Sequence, residues 1–81
     1  MTEHMLDQIR TFITEELLGG REIAADENLL LSGLVDSLGV MRLVAFLERR
    51  FGISIPARDL KLANFATLEA IAGYVARRQA E

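Results

Sequence analysis

The sequence predicts an all-α bundle of three main helices plus one short helix, with a long loop between helices 1 and 2. Three observations predict it. Apolar residues recur at three- and four-residue spacings in three separate segments, which is the period of an amphipathic helix. Alternating apolar and polar runs, the mark of half-buried strands, are absent. Start and stop residues bracket the periodic segments: Asp36 and Thr67 at starts, Gly19-Gly20 and Gly52 at ends.

The first helix is expected over about residues 3–18, with Leu6, Ile9, Ile13 and Leu17 on one stripe. Gly19-Gly20 ends it. Residues 19–36 form a loop that holds Ile23, the cluster Leu29-Leu30-Leu31 and Gly33. A connection of this length in a small domain is either functional or packed on the core by its own side chains. The leucine cluster argues for packing. The second helix is expected over about residues 37–51, with Asp36 as its N-cap and Gly52 as its stop. Val40, Val44, Leu47 and Phe51 make its stripe, and Leu43 widens it. Ile53-Ser54-Ile55 reads as extended, as residues before a proline tend to be. A short helix is expected over about residues 59–63. Thr67 opens the last helix, expected over about residues 67–78, with Leu68, Ile71 and Val75 facing in. Arg77 and Arg78 suit the negative end of its dipole. No internal repeat is visible.

The chain has 81 residues, which is one domain, 1–81. An apolar content of 51% with one proline and six glycines is globular, not disordered. The net charge of −3 is unevenly spread. Residues 1–36 hold eight acids against Arg10 and Arg21, and residues 37–81 hold four acids against seven bases. The acidic first half argues against nucleic-acid binding, because phosphate neutralisation dominates that affinity. The split suits steering toward a protein partner. No run approaches the roughly 20 apolar residues of a membrane span. The first residues lack the basic-then-apolar layout of a signal peptide. Without cysteine there is no disulfide framework and no thiolate metal site. Asp26, Glu27 and their neighbours lack the alternating spacing of a calcium loop. A cytoplasmic monomer without a metal is the expectation.

Asp36-Ser37-Leu38 carries the chemistry. The serine stands where a loop ends and a helix begins, so it is expected to be exposed and close to free backbone N–H groups. That place favours an anion. A hydrolase nucleophile would need a base within hydrogen-bond reach. The single histidine, His4, sits close to the chain's first residue and reads as solvated. The run G-L-V-D-S-L-G also does not fit the G-x-S-x-G elbow. No catalytic residue is expected, and the chain is expected not to be an enzyme. Because there is no cysteine, any thioester sulfur must come from a group attached to this serine.

The three residues alone fit any ordinary helix start; their context is more specific. The run Leu30-Leu31-Ser32-Gly33-Leu34-Val35-Asp36-Ser37-Leu38 precedes the apolar stripe, and Phe51-Gly52-Ile53-Ser54-Ile55-Pro56 follows it. In this layout the chain resembles the acyl carrier protein family, the phosphopantetheine-binding carrier or thiolation domains. The resemblance covers nearly the whole chain and implies an acyl-carrier-protein-like bundle. It implies that Ser37 carries 4'-phosphopantetheine, taken from coenzyme A, through a phosphodiester. It implies that Asp36 helps the modifying enzyme recognise the site. The partners implied are a phosphopantetheinyl transferase, an acyl- or aminoacyl-loading ligase, and downstream transferases or synthases.

The sequence departs from the bacterial fatty-acid carriers, which usually have an acidic second helix. Gly39 and Arg42 stand where such carriers commonly place acids, and Glu48-Arg49-Arg50 replaces an acidic cluster. A positive helix should be repelled by a positive docking patch. The expectation is therefore a different set of enzymes. The run G-L-V-D-S-L-G-V resembles free-standing carriers for amino acids or specialised acyl chains. Leu38, Met41 and Ala45, beside Arg42 and Arg49, are the expected docking strip; Met41 and Ala45 read equally as peripheral core. Phe46 falls off the main stripe. It either closes onto Leu29 and Leu30 or narrows a cargo cavity, and a narrowed cavity would favour short or aminoacyl cargo. Two alternatives remain: a conventional fatty-acid or polyketide carrier, and a non-carrier helical module that binds a protein through its second helix.

Overall fold

The computed structural model describes residues 2–81. The first helix, α1, runs over Thr2–Phe12 and passes into a π-helical stretch, Ile13–Leu17. Gly19 and Gly20 take φ of 63° and 100°, which turns the chain back on itself. Leu18 N–H then donates to Ile13 O at 3.0 Å, and Gly20 N–H donates to Thr14 O at 2.8 Å. These wide bonds use carbonyls that a plain helix end would leave open. The expected helix over 3–18 is thus α-helical only to Phe12. Its stripe is retained: Ile9 and Ile13 are fully buried.

Helix α2 covers Ser37–Phe51 and stops at Gly52, whose φ of 67° suits glycine. The short helix expected over 59–63 is instead two pieces. A 3-10 turn spans Ala57–Asp59 behind Pro56, and helix α3 spans Leu62–Phe65. Extended Lys61 separates them (φ −131°, ψ 157°). The helical turn is carried as far as Phe65 because that ring is buried, 5.6 Å from the Tyr74 ring. Helix α4 covers Leu68–Ala80. Thr67 Oγ1 accepts from Ala70 N–H at 3.0 Å and caps its start.

Helix α4 packs against α1, α2 and α3, so the core forms around it. Ile9 and Ile13 meet Leu43, Val44 and Leu47 of α2 and Leu68, Ile71 and Val75 of α4 in one buried cluster. The loop from Leu18 to Asp36 joins that cluster through Ile23, Leu29 and Val35. Its backbone is fastened as well. Leu29 N–H donates to Ala66 O at 2.7 Å. Glu69 N–H, in the first turn of α4, donates to Ala25 O at 3.2 Å, so the loop satisfies a helix-end donor. The leucine cluster does not pack as a unit. Leu29 is buried, Leu30 is half-buried and Leu31 is 75% exposed.

Phe46 takes neither of its expected places. It stacks on Phe12 of α1 with ring centres 4.2 Å apart, and Phe51 meets it edge-on at 6.2 Å. Such aromatic pairing suits a ring at the α1–α2 seam. A ring held there does not narrow the groove beside Ser37, so the argument from Phe46 to short cargo loses its basis.

One polar contact ties the segment around α3 to α4. Buried Tyr74 donates its hydroxyl to Asp59 Oδ2 at 2.7 Å. Burial, then this hydrogen bond and the Asp59 charge, push the Tyr74 hydroxyl from 10.0 up to about 12. The unfolded chain therefore loses this proton before the folded one does. Stability from Tyr74 is complete below pH 10 and is lost as pH rises through about 12. Urea unfolding at stepped pH should show wild-type stability declining across this window and a flatter profile for Tyr74→Phe. Matching slopes in the two proteins would contradict the assignment.

Candidate functional site

The site is built where the loop hands over to α2. Val35 is buried and anchors the last loop residue before the helix. Asp36 then takes an extended conformation (φ −96°, ψ −174°), and its Oδ1 accepts from Gly39 N–H at 2.8 Å. This is an N-cap, and it satisfies one of the orphan donors of the first turn. Asp36 O accepts from Val40 N–H at 2.9 Å and starts the regular ladder. Ser37 is the first helical residue, and it is exposed.

The other two serines are placed differently. The Ser32 hydroxyl lies within the loop, 3.4 Å from Leu29 O and from Leu34 N. Ser54 lies in the extended segment after α2, and its carbonyl is held by the Arg78 guanidinium at 2.9 and 3.2 Å. Only Ser37 joins exposure to a helix N-terminus.

Two hollows flank Ser37. On the α3 side a groove of about 640 Å³ runs between α2 and the 60–65 segment. Its walls are mostly apolar: Leu30, Val35, Val40, Met41, Leu60, Leu62 and Phe65, with Asp36, Ser37 and Lys61 as its polar members. On the α1 side a hollow of about 250 Å³ is lined by Leu17, Leu34, Leu38, Gly39 and Arg42, among others. An exposed serine at a positive helix end, with an apolar groove beside it, fits a serine-linked phosphodiester and a long arm.

The expected docking residues lie together on the outer face of α2. Leu38 is 70% exposed and Met41 is 55% exposed. Ala45 and Arg49 are exposed too, so the peripheral-core reading of Met41 and Ala45 does not hold. Arg42 is exposed but tethered: its guanidinium donates to Glu16 O at 3.2 Å and lies 3.8 Å from the Glu16 carboxylate. Glu48, the one acid of α2, turns away from this face and accepts from Ile55 N–H at 2.8 Å.

Gly39 has a different role from the one its position suggests. It is buried, and a Cβ there would lie 2.9 Å from Val35 Cγ1 and 3.4 Å from Asp36 Oδ1. A glycine is needed for packing and for the cap, so its presence is no sign of a missing surface acid. Sequence reasoning also missed Lys61 and the wall formed by Leu60 and Leu62. The signal available was two leucines flanking a lysine outside any helical stripe, which marks a partly exposed wall.

Among the described residues no helix is long and apolar enough to cross a membrane. In solution, Gly39→Ala should lower stability by about 1–2 kcal/mol in urea unfolding, because overpacking there outweighs the better helix propensity of alanine. A stabilised variant would show that Val35 can move aside. Asp36→Ala should cost about 1 kcal/mol and Asp36→Asn much less, since Asn retains a capping oxygen.

Comparison with known proteins agrees with this geometry. The family described as "Phosphopantetheine attachment site" matches residues 7–75. No curated protein matches the chain. The match runs from α1 through the loop, α2 and α3 into α4, and so includes both hollows and every residue of the helix start. The chain therefore belongs to the phosphopantetheine attachment-site family, the acyl-carrier-type helical domains that hold a covalently bound 4'-phosphopantetheine group.

Proposed function

We propose that Ser37 is the residue that carries 4'-phosphopantetheine, and that the chain presents acyl or aminoacyl thioesters to partner enzymes without performing chemistry itself. The observation that carries this reading is the exposed hydroxyl of Ser37 at the Asp36-capped start of α2, within a chain of this family. When bound, the group supplies a long flexible arm ending in a thiol. The protein's own residues do the presenting. Asp36 fixes the helix start, the first-turn N–H groups not used by its cap would favour the phosphodiester's charge, and the groove walls would offer an apolar resting place beside it. The chain acts as a cytoplasmic monomer, and a phosphopantetheinyl transferase is its first partner.

The charge on α2 favours a specialised pathway, with aminoacyl or unusual acyl cargo, over conventional fatty-acid or polyketide synthesis. Arg42, Arg49 and Arg50 are exposed, Arg42 with its guanidinium on Glu16, while Glu48 is used internally. Leu38, Met41 and Ala45 offer an apolar strip between the cations. A partner matching this face has an apolar socket with acidic residues around it. Met41 would adapt to more than one such socket.

Incubation with coenzyme A, magnesium and a promiscuous phosphopantetheinyl transferase, followed by intact mass measurement, tests the attachment. Wild type should gain one phosphopantetheine and Ser37→Ala should gain none. If neither gains mass while a known carrier does in parallel, the non-carrier interaction module takes first place. For docking, Arg42→Glu with Arg49→Glu should reduce loading by the cognate ligase about tenfold or more in kcat/KM while circular dichroism stays unchanged. Equal loading kinetics would remove the docking assignment.

A further inference from the structure

Attaching a phosphodiester to Ser37 creates a charge problem at the start of α2. The Asp36 carboxylate already occupies the helix end and caps Gly39 N–H. A second anion one residue away would share that site with it. The helix dipole offers only about half a positive charge, so a nearby cation would favour the pair.

Two cations line the hollows beside Ser37, Arg42 on the α1 side and Lys61 on the α3 side. Arg42 is engaged with the carbonyl and carboxylate of Glu16. Lys61 forms no ion pair among the described residues. The nearest acid along its segment, Asp59, receives the Tyr74 hydroxyl on one carboxylate oxygen. Lys61 lines the same groove as Ser37 and is exposed, with its ammonium on a flexible four-carbon stem. Its backbone is held on both sides. Its N–H donates to Asp59 O at 2.9 Å, and its carbonyl accepts from Asn64 N–H at 3.0 Å. It is also the only lysine in a chain with eight arginines.

From these observations we infer that Lys61 is the counter-ion of the phosphodiester on Ser37, and so a positioning residue that holds the base of the arm toward the α3 side of the groove. This rests on the attachment proposed above. A compact, mobile ammonium suits the role, because it pairs with a single phosphodiester without demanding the two-point geometry of a guanidinium.

Because Lys61 is unique, its amine can be followed alone. The unmodified and the fully phosphopantetheinylated protein, the latter with its thiol capped by iodoacetamide, are treated with limiting N-hydroxysuccinimidyl acetate. Labelling of the Lys61 peptide is followed by mass spectrometry. A paired ammonium is a poorer nucleophile, so modification should slow labelling by about threefold at low salt, the scale of an exposed ion pair. The slowing should vanish in 1 M sodium chloride, where the Debye length is about 3 Å. Equal rates at low salt in a protein whose added mass is verified would overturn the pairing and leave the carrier reading intact. Slowing that persists at high salt would indicate steric cover by the arm and would also overturn it. Absence of added mass would remove the attachment and the pairing together.

Discussion

The hydrogen bond from Gly39 N–H to Asp36 Oδ1 is the contact on which the site depends. It fixes where α2 starts and therefore which residue stands first on the helix. Three neighbours make it possible. Val35 is buried and sets the direction of entry. Gly39 lacks the side chain that would collide with Val35. The loop's own anchors, Leu29 in the core and its N–H on Ala66 O, keep the approach fixed. With those constraints met, the residue between cap and first turn projects into solvent, and that residue is Ser37.

The same arrangement explains how the chain separates its charges. Glu48 caps the turn after α2 through Ile55 N–H and so leaves the outer face of the helix positive. Arg42 bridges to the end of the π-helical stretch, where a cation suits the exposed carbonyls of a helix terminus. In the docking proposed above, the carrier would meet its enzymes through arginines and an apolar strip, the reverse of an acidic recognition helix. Specificity of this kind works as much by rejecting mismatched partners as by attracting the right one.

Much of the fold was legible in the sequence because the helices are strongly periodic and their ends are chemically marked. Asp36, Thr67 and Gly52 are strong signals, and each occupies the cap position its chemistry suits. The departures arise where tertiary packing outweighs local pattern. The π-helical end of α1 follows from bonds closed by Leu18 and Gly20 N–H groups where Gly19 and Gly20 turn the chain. The division between the 3-10 turn and α3 follows from Phe65 reaching the core. Phe46 could not be placed from α2 alone, because its partner Phe12 lies 34 residues earlier. In the site, the motif around Ser37 was readable, whereas the groove wall at Leu60, Lys61 and Leu62 was not. Those residues approach Ser37 only through the fold. Gly39 was legible as a glycine and misread as to purpose, since its need is visible only with Val35 beside it.

Tandem mass spectrometry of the phosphopantetheinylated protein is the most direct test of the site. The tryptic peptide spanning residues 22–42 contains both Ser32 and Ser37, so its fragment ions choose between a loop serine and the helix-start serine. The added group is expected on Ser37 alone. Fragment ions placing it on Ser32, or modification of Ser54 in another peptide, would contradict the claim that the capped helix start selects the site.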